Sequence, residues 1–261
     1  MIVFSAILPH SPLLIPGIGK ENTTKLKQTI EALHEIEGDF YSTQPDSVII
    51  ISPHGNINQN SFLINFSPKY WGDFSEFGEM SLKPIYYGDN ALSYKIKERV
   101  ETTYPLQLTT DEKLNYSFAS SLEFISAHKK DIKIVPISSS NLSLEEHFNF
   151  GKALIDELRQ SEKRIAVIAS VETSNKLSKK SPAGYATSAK KFDQKIVDAI
   201  KNKDTEFLLS LTEKDITKNG AEEIKAILIF LGIFADINYQ PELLSYESPF
   251  GVGHLVMEMK L

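Results

Sequence analysis

The sequence contains no cysteine among its 261 residues. This absence excludes disulfide bonds, zinc knuckles and thiol nucleophiles, which all require cysteine. It is compatible with a reducing compartment, and we expect a cytoplasmic protein.

Long apolar segments are also missing. The N-terminal apolar run, Met1 to Leu8, is about eight residues long, lacks a basic leader and is followed by Pro9. A membrane-spanning helix needs about 20 apolar residues, and a signal peptide begins with a basic region. We therefore expect neither a signal peptide nor a membrane-bound protein.

Positive charge is scarcer than negative charge, with 28 Lys and Arg against 34 Asp and Glu and a net charge of -6. This balance argues against nonspecific binding to nucleic acid. The chain also lacks a P-loop, a Gly-x-Ser-x-Gly elbow and a His-Glu-x-x-His pair, which makes the chemistries of those motifs poorly supported. The sequence leaves the formation of a homo-oligomer open.

Several short apolar runs are present, and they predict buried strands. They lie at Met1 to Leu8, Val48 to Ile51, Ile132 to Ile137 and Arg164 to Ser170, with helical spacing between them. Hydrophobic residues make up 41% of the chain, which is enough for a full core. We predict a single α/β domain over residues 1–261, with a mostly parallel central sheet flanked by helices.

Two of the predicted strands end in the dipeptide Pro-His. Pro9 and His10 follow the first run, and Pro53 and His54 follow the run at Val48 to Ile51. Because proline cannot donate to the ladder of a sheet, each histidine should stand just beyond the carboxyl end of its strand. Open α/β sheets bind ligands at that edge. The pattern predicts two neighbouring imidazoles, although each histidine could also be an ordinary hydrogen-bonded loop residue.

The segment between Pro68 and Pro84 is rich in aromatic residues and glycine. We predict an irregular connection, which would be either a functional lid or a surface Ω-loop packed by its own aromatics. Together with Leu13 to Ile15, residues Trp71 to Phe77 are expected to form the rim of a cleft above the two histidines.

Six short motifs occur in one order along essentially the whole chain. They are Leu8 to Pro16, Ile51 to Gly55, Gly72 to Gly78, Val135 to Ser138, Ser181 to Tyr185 and Ser248 to Gly253. In this order the chain resembles the class III extradiol ring-cleavage dioxygenase superfamily, typified by the catalytic subunit of protocatechuate 4,5-dioxygenase. The Memo-like proteins belong to the same superfamily.

The resemblance implies a non-haem Fe(II) site with two histidines and one glutamate, although another divalent metal remains open. Such a triad leaves adjacent coordination positions free for a catechol-type aromatic and dioxygen. By similarity, His10 and His54 are the imidazole ligands. The carboxylate should come from the start of a helix predicted over Asn219 to Leu231, where we choose Glu222 over Glu223. Glu247 is a weaker candidate.

The chain departs from the family where the family carries its acid-base histidines. Asn175 stands at the position of one and Tyr116 at the position of the other. An amide has no pKa near neutrality, and a phenol is a poor base. Glu172 or Tyr116 could substitute in a dioxygenase with altered chemistry. The alternatives are a Memo-like metal-binding protein without ring cleavage, and a chain that retains only the fold. We assign His254 to packing.

Overall fold

The computed structural model describes residues 1–55, 60–129 and 131–261 of the chain. Within them, one sheet contains eleven strands. The strands are β1 (Ile2–Leu8), β2 (Ser47–Ser52), β3 (Phe62–Asn65), β4 (Lys69–Gly72), β5 (Ile85–Gly88), β6 (Leu106–Thr109), β7 (Lys113–Leu114), β8 (Lys133–Ser138), β9 (Ile165–Ser170), β10 (Gln240–Glu247) and β11 (His254–Lys260).

The α-helices of the described residues lie between these strands. They are α1 (Pro16–Gly19), α2 (Lys27–Ser42), α3 (Asn90–Val100), α4 (Tyr116–Ile125), α5 (Leu144–Gln160), α6 (Ala189–Lys201), α7 (Thr205–Leu209), α8 (Glu213–Asn219) and α9 (Ile224–Ile233). In the same described residues, three 3-10 helices cover Pro12–Leu14, Lys20–Leu26 and Ser75–Phe77. Among the described residues, no helix combines the length and apolarity that crossing a membrane requires.

The strands follow the order β10-β11-β1-β9-β2-β8-β5-β4-β7, and β3 pairs with β8 and β6. The four central strands β1, β9, β2 and β8 run parallel to one another, so their carboxyl ends meet at one edge of the sheet. β11 runs antiparallel to β1 and therefore begins at that same edge. This architecture confirms the predicted α/β class with its mostly parallel sheet.

The central strands lack polar alternation because helices cover both faces of the sheet. Val48 and Ile50 of β2 pack in the hydrophobic cluster that includes α2 and α4. Ile49 and Ile51 point the other way, into the cluster that includes α5 and α9. All four side chains are fully buried, and each such burial is worth about 1.5–3 kcal/mol.

The segment between Pro68 and Pro84 is only partly irregular. Lys69–Gly72 forms strand β4, which pairs with β5 and β7. The buried Tyr70 ring anchors this strand, and its hydroxyl donates to the Asn65 carbonyl. The prediction of one long loop is therefore wrong for this strand, because the dense aromatics and glycine obscured a two-residue alternation of buried and less buried side chains.

The helix predicted over residues 219–231 is interrupted. α8 ends at Asn219, Gly220 adopts the left-handed conformation with φ of 68°, and α9 begins only at Ile224. A Cβ atom on Gly220 would collide with Oδ1 of Asn175. Glycine is therefore required in this turn, both for its backbone conformation and for the close approach.

Candidate metal centre

His10 follows β1 and is held in one orientation by the neighbouring strand β9. Its Nδ1 lies 3.0 Å from the carbonyl oxygen of Ser170, and the side chain is almost fully buried. A carbonyl oxygen can only accept, so the proton is on Nδ1 and the Nε2 lone pair is free. This carbonyl contact is of the kind that orients histidine ligands of metals.

His54 follows β2, on the other side of β9. The Ser138 hydroxyl donates to the His54 carbonyl, with the oxygens 3.3 Å apart. The next residue, Gly55, has φ of 116°, which lets the chain turn away from the sheet. The His10 and His54 ring centroids are 5.0 Å apart, with an interplanar angle of 79°. The sheet therefore brings the two imidazoles together, as the Pro-His pattern predicted.

Glu223 completes the cluster from the turn before α9. Its Oε1 lies 3.7 Å from Nε2 of His10 and 3.4 Å from Nε2 of His54. Its Oε2 accepts the backbone N–H of Glu172 at 2.6 Å. One donor atom from each of the three side chains lies within 4.8 Å of the others. Ligands bound at about 2 Å to one metal lie about 3 Å apart at right angles, so the donor set fits a metal after a small contraction.

The two other carboxylates considered for this position lie elsewhere. Glu222 is exposed, and Glu247 accepts hydrogen bonds from the backbone and hydroxyl of Thr29 on α2. The expected position of Glu222 is therefore wrong, because Glu223 is the glutamate that lies beside the two histidines. The physical reason is the break at Gly220, since the direction of each side chain in the turn does not follow from helical spacing.

The two histidines and Glu223 shift one another's pKa values. Burial lowers the pKa of His10, and the Glu223 carboxylate only partly opposes this effect. Burial also acts against the charged form of His54, but Glu223 outweighs it and raises that pKa. Burial alone would raise the pKa of Glu223, whereas the two histidines bring it below its usual range. A deprotonated carboxylate and a free imidazole nitrogen are the forms that bind a metal.

Tyr116, the first residue of α4, covers the two histidines. Its ring stacks on His54 at a centroid distance of 5.9 Å and meets His10 edge-on at 5.8 Å. Phe77 contacts the same ring edge-on at 4.7 Å. Burial and then the Glu172 carboxylate raise the pKa of the Tyr116 phenol. The phenol therefore keeps its proton at neutral pH.

Glu172 lies just beyond β9, beside a histidine that sequence reasoning did not connect with the site. Its Oε1 is 3.7 Å from Nε2 of His254. Burial, followed by the Glu223 charge, raises the pKa of Glu172 well above its usual range. His254 is buried, and burial lowers its pKa to about 4, so its ring is neutral at pH 7. The contact follows from the direction of β11. Because β11 runs antiparallel to β1, its first residue, His254, lies at the edge of the sheet where β9 ends.

Asn175 packs against the turn that carries Glu223. Its backbone N–H donates to the Gly220 carbonyl at 2.9 Å. Its side-chain Oδ1 is buried and has no hydrogen-bond partner among the described residues. The same oxygen lies so close to Gly220 that a larger side chain at position 175 would press on this turn.

Fold and site together define a class of protein. It is an α/β protein in which two histidines and a glutamate converge at the carboxyl edge of a mostly parallel sheet. The family model described as the catalytic LigB subunit of aromatic ring-opening dioxygenase matches residues 5–257. The chain belongs to this family, which confirms the resemblance drawn from the sequence and gives the chain a dioxygenase-like fold.

Two individual proteins are also similar to this chain. Protein CA_C1420 of Clostridium acetobutylicum is 26% identical over an alignment that covers 97% of this chain and 56% of the relative. The chain thus spans little more than half the length of that protein. An uncharacterized protein from Escherichia coli K12, JW3007, has a crystal structure with a TM-score of 0.66, 14% identity and coverage of 98% and 99%. This second likeness supports the fold alone.

Proposed function

We propose that the protein binds a divalent metal, Fe(II), through His10, His54 and Glu223, and that it oxidatively cleaves a catechol-type aromatic with dioxygen. The observation that carries the proposal is the convergence of three donor atoms, one of which is an imidazole nitrogen freed by a fixed tautomer. Two imidazoles and one carboxylate are the donor set of non-haem Fe(II) oxygenases. Family membership supports the same chemistry.

When bound, such a metal would supply adjacent open positions for the two oxygens of a catechol and for dioxygen. Gly55 and Asn115, the chain neighbours of His54 and Tyr116, line a cavity of about 290 Å³ that lies beside the site, and its described lining does not include His10, His54 or Glu223. Its apolar side chains include Leu114 and Phe118. The stacked Tyr116 ring adds an aromatic wall over the histidines. These surfaces suit a small, flat and partly apolar substrate.

Glu172 is the residue that we assign to proton transfer. Its carboxyl group lies next to Glu223, and burial raises its pKa well above its usual range. A carboxyl whose pKa is raised from its usual range towards neutrality can exchange a proton with a catechol hydroxyl. Asn175 and Tyr116 cannot do so, because one does not titrate and the other holds its proton too tightly.

A second candidate function is metal binding without ring cleavage, as in a Memo-like protein. The observation that favours it is the absence of an imidazole at position 175, together with the close contact between Asn175 and Gly220. General acid-base assistance is typically worth about 10² to 10⁴ in rate. Its loss would leave metal binding intact and turnover very slow.

The test of metal binding compares two neighbouring glutamates. We expect anaerobic Fe(II) titration to give one bound ion per chain for the unmodified protein and for Glu222→Gln, and a loss of binding for Glu223→Gln. At an Fe(II) concentration about 100 times the Kd, binding should stabilise the fold by about 2.7 kcal/mol. Equal Fe(II) binding by both variants would overturn the assignment of Glu223.

The test of chemistry is oxygen uptake with a panel of catechols and fully iron-loaded protein. If Glu172 transfers the proton, Glu172→Gln should lower turnover by about 10² to 10⁴ while the iron content stays the same. Turnover that is unaffected by Glu172→Gln would assign the base elsewhere. A fully loaded unmodified protein without any turnover would favour the second candidate.

A further inference from the structure

Helix α4 carries buried serines that contact both strands bearing the histidines. Ser117, Ser120 and Ser121 are all fully buried near its amino end. A buried hydroxyl costs free energy unless it is hydrogen-bonded. Two of the three, Ser117 and Ser121, have hydrogen-bond partners at the ends of β1, β2 and β9. These are the strand ends that carry the candidate metal site.

Ser121 connects the end of β1 with the end of β9. Its hydroxyl lies 2.6 Å from the hydroxyl of Ser170 and 3.2 Å from the carbonyl oxygen of Pro9. The Ser170 hydroxyl donates to the Ser117 carbonyl, so the Ser121 proton is shared between Ser170 Oγ and Pro9. Pro9 immediately precedes His10, and the Ser170 carbonyl accepts the His10 Nδ1 proton. Ser121 therefore contacts both the residue that precedes His10 in the chain and the residue that accepts a hydrogen bond from its ring.

Ser117 makes the corresponding connection to β2. Its hydroxyl accepts from the Ser52 hydroxyl at 2.8 Å. Ser52 Oγ in turn lies 3.4 Å from the backbone nitrogen of His54. The residue before Ser117 is Tyr116, whose ring stacks on His54. The amino-terminal half of α4 therefore contacts both imidazoles and the backbone next to each of them.

We infer that Ser121 is a positioning residue of the metal centre, which ties Pro9 to Ser170 and so fixes His10 Nε2 at the distance from His54 and Glu223 that a shared ion needs. This inference rests on the proposed metal site. Outer partners of metal ligands typically account for about 10-fold to 100-fold in metal affinity. Ser121 suits a mutational test because the loss of its hydroxyl leaves the Ser170 hydroxyl bonded to the Ser117 carbonyl.

The chain offers a matched control on the same helix. Ser126, which caps the end of α4, is also buried, and its hydroxyl donates to the Leu122 carbonyl at 2.7 Å. Ser126→Ala removes a buried hydroxyl at the opposite end of the helix from Tyr116. Both alanine variants should lower the unfolding free energy of the metal-free protein, but only Ser121→Ala should disturb the metal centre.

The experiment is anaerobic Fe(II) titration against a competing chelator, together with the absorption spectrum of the Co(II)-loaded protein. We expect Ser121→Ala to weaken Fe(II) binding by about 10-fold or more and to change the Co(II) spectrum. The Fe(II) affinity of Ser126→Ala should stay within about twofold of that of the unmodified protein, and its Co(II) spectrum should be unchanged. If Ser121→Ala does not fold, Ser121→Cys keeps the connectivity of the side chain, with a slightly larger atom and weaker hydrogen bonds, and it should show a smaller loss of Fe(II) affinity.

The outcomes separate the two proposals. If the unmodified protein binds no Fe(II), the metal site itself is wrong. If it binds Fe(II), and Ser121→Ala or Ser121→Cys binds as tightly as Ser126→Ala with the same Co(II) spectrum, the positioning role of Ser121 is overturned while the metal site stands.

Discussion

The two edges of the central sheet both hold buried charged side chains, but they treat them differently. At the amino edge, the buried Asp89 carboxylate accepts from the Ser47 hydroxyl, the Lys163 ammonium and the Leu92 backbone N–H. At the carboxyl edge, Glu172 and Glu223 lie side by side. In the described residues, no lysine or arginine pairs with either of them.

The difference lies in how each edge compensates its buried carboxyl groups. Burial would raise the pKa of Asp89, yet its hydrogen bonds and Lys163 lower it overall. Burial and the neighbouring charge move the pKa of Glu172 the other way. Groups with pKa values displaced in this second manner are typical of functional sites. A protein retains such a site at a cost in stability.

The largest expected effect is at the amino edge. Asp89→Asn should destabilise the metal-free protein by about 3 kcal/mol in urea unfolding at pH 7, because it removes the buried charge that accepts hydrogen bonds from Ser47, Leu92 and Lys163. Because the pKa of Asp89 is lowered, its contribution is complete above about pH 4 and is lost as the pH falls through the folded value. Asp89→Asn should not show this loss of stability in acid, because asparagine does not titrate.

The control is Asp156→Asn, which removes an exposed ion pair with Arg99 at 3.3 Å. It should change stability by less than about 1 kcal/mol. Similar losses in Asp89→Asn and Asp156→Asn would mean that the amino edge has no special role in stability.

An intermediate effect is expected in the turn that presents Glu223. Gly220→Ala should destabilise the protein by about 2 kcal/mol, since alanine disfavours a φ of 68° and its Cβ would meet Asn175. Fe(II) affinity should fall as well, because the turn must shift. Calorimetric unfolding and Fe(II) titration measure the two effects.

Gly38→Ala provides the matched control. Gly38 lies within α2, and a Cβ atom there would contact nothing within 4 Å. This variant should gain about 0.5–1 kcal/mol, as expected for alanine in a helix, and should keep its Fe(II) affinity. If Gly220→Ala leaves the free energy of unfolding unchanged, the strain that we assign to the turn is refuted.

The smallest effect is expected from Glu172→Gln in the metal-free protein. The raised pKa means that the folded state binds more protons than the unfolded state above about pH 4.3, so stability falls as the pH rises. Glutamine should remove this fall, and the variant should gain about 1 kcal/mol at pH 7. Urea unfolding from pH 4 to 8 would show it, with a sign opposite to that of Asp89→Asn. A pH profile equal to that of the unmodified protein would contradict the raised pKa that we assign to Glu172.

The sequence was sufficient to predict the sheet and the two imidazoles. Unbroken apolar runs with proline stops lie on the strands that place His10 and His54 at one edge, and these signals are local. The carboxylate could not be chosen in the same way. Whether Glu222 or Glu223 faces the histidines depends on the αL turn at Gly220, which is required by the close approach of Asn175.

The contact of His254 with Glu172 was also beyond local reasoning. His254 opens a strand, whereas His10, His54 and Glu172 each follow one, and only the antiparallel pairing of β11 with β1 brings His254 to the same edge. The segment after Pro68 is a similar case, since β4 becomes recognisable as a strand only through its partners β5 and β7. Tertiary pairing decided both outcomes.

β9 hydrogen-bonds to both β1 and β2, although it follows them in the chain. A growing chain can therefore not fix His10 relative to His54 until β9 has been synthesised and inserted between the earlier strands, and Glu223 follows later still. Pairings between residues so distant in sequence form slowly, because the intervening chain must first be ordered. We expect the three donor atoms to meet only at the end of folding, so an ion would be acquired by the finished fold and could not guide the nascent chain.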